Sequence, residues 1–84
     1  MTRNEKRLDR IQNSPNDVKW ADLVAVCDLC FGKPRRGRGS HLIYDTPWMD
    51  HPLLVLQPSK GKAKPYQVRQ ALRALEEMEK HDGD

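Results

Sequence analysis

The sequence holds no apolar run approaching the roughly 18 residues that a membrane-spanning helix needs. Its first ten residues, MTRNEKRLDR, are basic and polar and lack the apolar stretch of a secretory signal. The expected setting is therefore the cytoplasm, with no membrane partner. Cysteine is scarce: the chain has two, Cys27 and Cys30. Two cysteines make no disulfide framework, and a reducing cytosol keeps them as thiols. Length is short as well. Eighty-four residues make one domain. A chain of this size buries only about 60–65% of the surface exposed when unfolded, so a deep cavity would consume the core. The expectation is a compact module acting through its surface, with one shallow site at most. Internal repeats and low-complexity segments are absent. The whole chain, 1–84, reads as one unit: a peripheral helix and turn over 1–15, a core over 16–80 and a fraying tail over 81–84.

Charge of one sign is not lacking, but it is unevenly placed. The net charge is only +3. Residues 1–32 balance five basic against five acidic side chains, and residues 74–84 set one lysine against five acids. Residues 33–73 carry nine lysines and arginines against Asp45 and Asp50 alone. A central basic block on a near-neutral chain is the electrostatic footprint of a polyanion ligand, although charge runs are more often simply solvated.

The pattern along the chain supplies elements. Residues 4–13 carry apolar groups only at Leu8 and Ile11, which predicts a short, weakly docked helix. Ser14-Pro15-Asn16-Asp17 is a turn by composition. Over residues 19–31, Trp20, Leu23, Val24, Cys27, Cys30 and Phe31 recur at spacings of three and four, painting one face of a helix that Gly32 caps. Lys19 is a poor N-cap, so the start is open by a residue or two. Lys33 to Arg38 leads into a strand over Ser40–Asp45, with Gly37 and Gly39 suited to a turn or bulge. Thr46–Pro52 reads as a loop, Leu53–Gln57 as a buried strand and Pro58–Lys64 as a basic loop. Pro65 opens the last helix at its first position. Val68, Ala71, Leu72, Leu75 and Met78 form its apolar face, and Arg69 and Arg73 lie four apart on another. The order is helix, three strands, helix, with a short helix in front. Hairpin-joined strands form an antiparallel sheet, and two amphipathic helices bury their faces on one side of it. The fold class is α+β in two layers, the arrangement of the double-stranded-RNA-binding domain.

Four segments together resemble the HicA, or YcfA-like, toxin family. They are Asn16 to Leu23 leading into the second helix, Gly39-Ser40-His41 opening the second strand, Leu56-Gln57-Pro58 closing the third, and Lys60 to Gln70 leading into the last helix. The similarity spans roughly Asn13 to Met78. It implies the double-stranded-RNA-binding fold and cleavage of messenger RNA without a metal or other cofactor. It also implies inhibition by a HicB-type antitoxin partner. By the same resemblance His41 is the catalytic residue, positioned by Gly39 and Ser40. One departure is the extra glycine in Arg35-Arg36-Gly37-Arg38, where a bulkier strand residue is expected.

The residue chemistry fits that expectation. Imidazole titrates near neutrality and can take or give a proton. RNA carries its own nucleophile, the 2′-OH, so the enzyme needs proton transfer and cations for the developing phosphate charge. Arg35, Arg36 and Arg38 precede His41 directly. Lys60, Lys62 and Lys64 precede a helix N-terminus, where anions bind, and Arg69 and Arg73 extend the basic region. These eight are the candidate phosphate ligands. Strand alternation puts His41, Ile43 and Asp45 on the open face, with Leu42 and Tyr44 toward the helices. His51, in a loop between Asp50 and Pro52, reads as a solvated residue, and His81 is discounted in the tail. Cys27 and Cys30 have the C-x-x-C spacing of a zinc site. Zinc needs four ligands, and both cysteines fall on an apolar helix face, so core packing is the reading and no metal is assigned. Tyr66 and Trp48 are open between packing and base stacking. The competing functions are a ribonuclease, a non-catalytic RNA-binding module and a protein-interaction domain.

Overall fold

A computed structural model describes the backbone of residues 3–82 and the side chains of residues 5–80. The side chain of His81 and the end of the expected tail, residues 83–84, lie outside that description. The elements follow in the order α1 (Arg3–Asn13), α2 (Trp20–Phe31), β1 (Arg35–Arg36), β2 (Leu42–Asp45), β3 (Leu53–Leu56), β4 (Pro58–Ser59), β5 (Lys62–Ala63) and α3 (Pro65–Asp82). Strands β1, β2 and β3 form one antiparallel sheet in that order. The architecture is a small α+β fold of three helices and a three-stranded sheet. Among the described residues no helix is long and apolar enough to cross a membrane.

The helix ends follow local chemistry. Gly32 closes α2 with φ at +86°, a conformation a side chain disfavours, and its N–H bonds the Asp28 carbonyl at 3.1 Å. Lys19 occupies the N-cap of α2 and makes no side-chain cap bond. Pro65 starts α3, and the Lys64 carbonyl accepts from the Gln67 and Val68 N–H groups, both at 3.0 Å. The helix then runs on to Asp82, past the point at which fraying was expected.

The core lies between the sheet and the helices. Leu23, Val26 and Cys27 of α2 and Val68, Ala71 and Leu75 of α3 pack with Tyr44, Leu54 and Leu56 of the sheet. Leu42 and Tyr44 therefore face inward, as the alternation predicts. In register, Leu42 stands opposite Leu56 and Tyr44 opposite Leu54, while Ile43 and Val55 pair on the outer face. Phe31 meets the Tyr44 ring edge-on at 6.2 Å, and the Tyr44 hydroxyl donates to Asp28 Oδ1 at 2.6 Å.

Three expectations are corrected. The first helix is not weakly docked: Ile11 is 2% exposed, Leu8 packs against the core, and Arg7 and Arg10 each reach Asp22 on α2 at 3.5 Å. One well-aimed i, i+3 apolar pair is enough when the facing helix offers a carboxylate beside it. The Pro58–Lys64 segment is not a plain loop but a tight ribbon, β4 against β5. Lys60 and Gly61, with φ at +52° and +78°, make the two-residue turn whose left-handed backbone matches strand twist. This ribbon is stitched to the segment before α2 by Ala63 N–H to the Val18 carbonyl (2.9 Å) and Trp20 N–H to the Gly61 carbonyl (3.1 Å). The second strand begins at Leu42, with Gly39 and Ser40 in a turn, and the third ends at Leu56.

Candidate active site

His41 owes its place to the turn in front of it. Its N–H bonds the Arg38 carbonyl at 3.2 Å, and its own carbonyl accepts from the Gly37 N–H at 3.0 Å. Gly39 bends the chain with φ at +59°. The imidazole folds back on the same turn, with Nδ1 at 2.6 Å from the Arg38 carbonyl oxygen. A carbonyl can only accept, so Nδ1 carries the hydrogen and donates. In the neutral ring the lone pair is then on Nε2. Gly37 lies close beneath. A Cβ there would stand 3.2 Å from His41 Cβ and 3.3 Å from Ile43 Cδ1. The unexpected glycine is thus the space into which the catalytic candidate and its neighbour settle.

The ring lines a shallow depression of about 290 Å³ between the outer face of β3 and the first turns of α3. Val55 and Gln57 of the strand side and Tyr66 and Gln70 of the helix share it, and so does His51. Gln67, 4% exposed, braces this wall: its Oε1 accepts from the Gln57 N–H at 2.9 Å, and its Nε2 donates to the Tyr66 hydroxyl at 3.2 Å. Tyr66 is 51% exposed. A second depression, about 300 Å³, shares His51, Leu53 and Gln70 with the first and extends to Asp50 and Arg73. The two depressions adjoin at His51, Leu53 and Gln70, which line both.

His51 is exposed in the loop between β2 and β3, as a solvated loop residue would be, and it also lines both depressions. The loop is tied at both ends and in the middle. Thr46 N–H bonds the Pro52 carbonyl at 2.9 Å, Met49 N–H bonds the Thr46 carbonyl at 2.9 Å, and Trp48 Nε1–H donates to the Ala74 carbonyl of α3 at 2.8 Å. Trp48 also packs on Phe31, centroids 5.6 Å apart, so its ring is engaged in packing, whereas Tyr66 stands on the first depression. The Gln67 brace also went unread. Two glutamines at 67 and 70 are ordinary helix residues by sequence, and only the fold shows one buried and the other lining both depressions.

The candidate phosphate ligands scatter. Among them Arg73 lines the second depression, and Arg69 is exposed one helical turn earlier on α3. Arg36 and Arg38 are exposed in the hairpin leading to His41. Arg35 pairs with Asp45 across the β1–β2 ladder at 2.9 Å. Lys60 stands exposed in the ribbon turn, and Lys64 is half-buried where α3 begins. Lys62 is tied to Asp17, and that hydrogen bond holds the Asp17 carboxyl below its ordinary range. Gly39 and Ser40 form the turn directly before His41.

Cys27 is fully buried, and burial pushes its thiol up to about 12. Cys30, half-buried, is raised as well, chiefly by burial. Among the described residues no three His, Cys, Asp or Glu side chains are grouped to hold a metal ion.

No family model, curated protein or solved structure matches this chain.

Proposed function

We propose that this chain is an endoribonuclease that cleaves messenger RNA by acid–base chemistry at His41, on a fold of the double-stranded-RNA-binding type. In this reading it is the toxin of a HicA-like toxin–antitoxin pair. The observation that carries the proposal is the placement of His41, held at Nδ1 by a backbone carbonyl on the wall of an open depression. Its Nδ1–H is committed to the Arg38 carbonyl at 2.6 Å. That leaves Nε2 as a proton acceptor for a ribose 2′-OH. The attacking group belongs to RNA, so no protein nucleophile is required. Arg73, on the depression that adjoins the one His41 lines, and exposed Arg69 one turn earlier on α3 support a phosphate-binding role.

The decisive test is incubation of the purified protein and its His41→Ala variant with end-labelled RNA in EDTA. Proton transfer by a positioned side chain contributes about 10²–10⁴-fold, so His41→Ala is expected to cut the cleavage rate at least about a hundredfold. RNA affinity should change little. Unchanged cleavage would refute the role of His41. A wild-type protein that binds RNA with a steep salt dependence but leaves it intact would select the second reading, a non-catalytic RNA-binding module. The exposed arginines of α3 favour that reading as much as the first.

The toxin assignment adds a partner, a HicB-type antitoxin protein that covers the His41 face. The outer sheet face carries exposed Val55 beside half-buried Ile43, apolar surface of the kind such a partner would bury. Co-purification of a second small protein from the native operon is the expected result. Overexpression of this chain alone without growth arrest would count against it.

A further inference from the structure

We propose that His51 is the second catalytic group of this site, the acid that protonates the leaving 5′-oxygen while His41 acts as base. The inference rests on the ribonuclease reading of this site. The two histidines stand ten positions apart, on opposite ends of the β2 strand and its following loop, yet both residues line one depression of about 290 Å³, His51 from an exposed position. That volume lies at the lower end of ligand pockets, enough for a single ribose-phosphate linkage.

The assignment of roles follows from geometry. With Nδ1–H held by the Arg38 carbonyl, the neutral His41 ring offers a lone pair at Nε2 and no second donor. It therefore suits the base. The titratable and charged groups around His51 in the two depressions are His41 ahead of β2, Tyr66 and Arg73 of α3, and its own neighbour Asp50. Arg73 does not release a proton at any physiological pH. Asp50 and Tyr66 offer a carboxyl and a phenol, which are not the usual proton shuttles of neutral-pH catalysis. His51 is the remaining candidate, an imidazole, the side-chain class that exchanges protons near neutrality. Its loop is held by the Thr46, Met49 and Trp48 hydrogen bonds, so the ring is carried on a fixed support.

The step balances without a co-reactant. His41 Nε2 takes the 2′-OH proton, and the 2′-oxygen forms a bond to phosphorus. The bond from phosphorus to the 5′-oxygen breaks, and that oxygen takes the proton of the His51 imidazolium. The products are a 2′,3′-cyclic phosphate end and a 5′-hydroxyl end. Solvent then returns His41 to its neutral form and His51 to its protonated form.

The test uses two RNA oligonucleotides and the full-length chain. The first is natural RNA, on which the wild-type protein defines a cleavage site. The second carries sulfur in place of the bridging 5′-oxygen at that site, a leaving group that departs as thiolate and needs no proton. His51→Gln is expected to slow cleavage of the natural RNA at least about a hundredfold and to approach the wild-type rate on the sulfur-bridged RNA. That recovery also shows the variant is folded. His41→Gln should be slow on both. Wild-type rate should follow a bell-shaped pH profile, and His51→Gln should lose its alkaline fall. Wild-type cleavage of natural RNA by His51→Gln overturns the role of His51 while leaving that of His41 intact. Equal loss on both RNAs assigns His51 to binding or support and overturns the proposal too. A wild-type chain that leaves natural RNA intact overturns both this inference and the ribonuclease reading beneath it.

Discussion

The imidazole of His41 is aimed partly by a residue with no side chain. Any Cβ at position 37 would press on His41 Cβ at 3.2 Å and on Ile43 Cδ1 at 3.3 Å, tighter than ordinary contact. Gly37→Val adds still more bulk and must shift the ring. A displacement on the order of 1 Å costs about a hundredfold in a positioned reaction. The expected outcome for Gly37→Val is a loss of cleavage approaching that of His41→Ala, with RNA affinity little changed. Full activity in that variant would show that the glycine is incidental. Position 39 differs. Its φ of +59° meets open space, so Gly39→Ala is strained by backbone alone, about 1–2 kcal/mol, and Gly39→Asn is better tolerated. At this scale the sequence marks His41 as a candidate because Gly-Ser-His stands at a recognisable distance from the later segments. Gly37 was not legible, because a glycine's meaning depends on what the fold lays over it. That His51 lines the same depression as His41 was not legible for a related reason. Asp-His-Pro reads as loop by composition, and nothing local says that the loop returns to that depression.

Elements fix the site by small anchors at their junctions. The β2–β3 loop hangs on Trp48, whose Nε1–H reaches the Ala74 carbonyl at 2.8 Å and whose ring lies on Phe31. Trp48→Phe keeps much of the apolar ring and removes the donor. One such hydrogen bond is worth about 1 kcal/mol, which for a domain of this size lowers the melting temperature by roughly 4–8 °C. Calorimetry is expected to show that drop. Because the same loop carries His51, cleavage should fall further than the loss of folded protein explains. An unchanged melting temperature would mean that packing on Phe31 suffices. The helices and central strands were legible from periodicity, capping and β-branched or aromatic content. The β4–β5 ribbon was not. Its strands are two residues each, and its alternation is concealed by lysines, so the Lys60-Gly61 turn was the one local sign. How firmly α1 docks is not legible from α1 alone, because Leu8 and Ile11 are joined by Asp22 of a different helix.

For the molecule as a whole, two-layer packing was legible, since two amphipathic helices need a sheet to cover. The basic block was legible only as a total. Asp45 and Asp17 each take up one of its cations, a pairing between chain-distant groups that composition does not reveal. Packing has a second consequence that reaches every element. Cys27 of α2 and Tyr44 of β2 are both raised in pKa, principally by burial, Cys27 from 9.0 to about 12. For each, the unfolded chain ionises at lower pH than the folded one. The stability they contribute is therefore complete below pH 9, where neither state loses the thiol proton. It is lost as pH climbs from 9 toward 12, with Tyr44 adding to the loss above 10. A shift of three units corresponds to about 4 kcal/mol, a large share of the 5–15 kcal/mol typical of a domain. Thermal melts should hold level from pH 7 to 9 and then fall steeply, and Cys27→Ala, less stable at neutrality, should fall less steeply. A thiol reagent at pH 8 should label half-buried Cys30 readily and reach Cys27 only as the chain unfolds. A melting temperature that is constant to pH 11, or Cys27 labelled as fast as Cys30, would mean that the sheet and α2 do not close over that thiol as described.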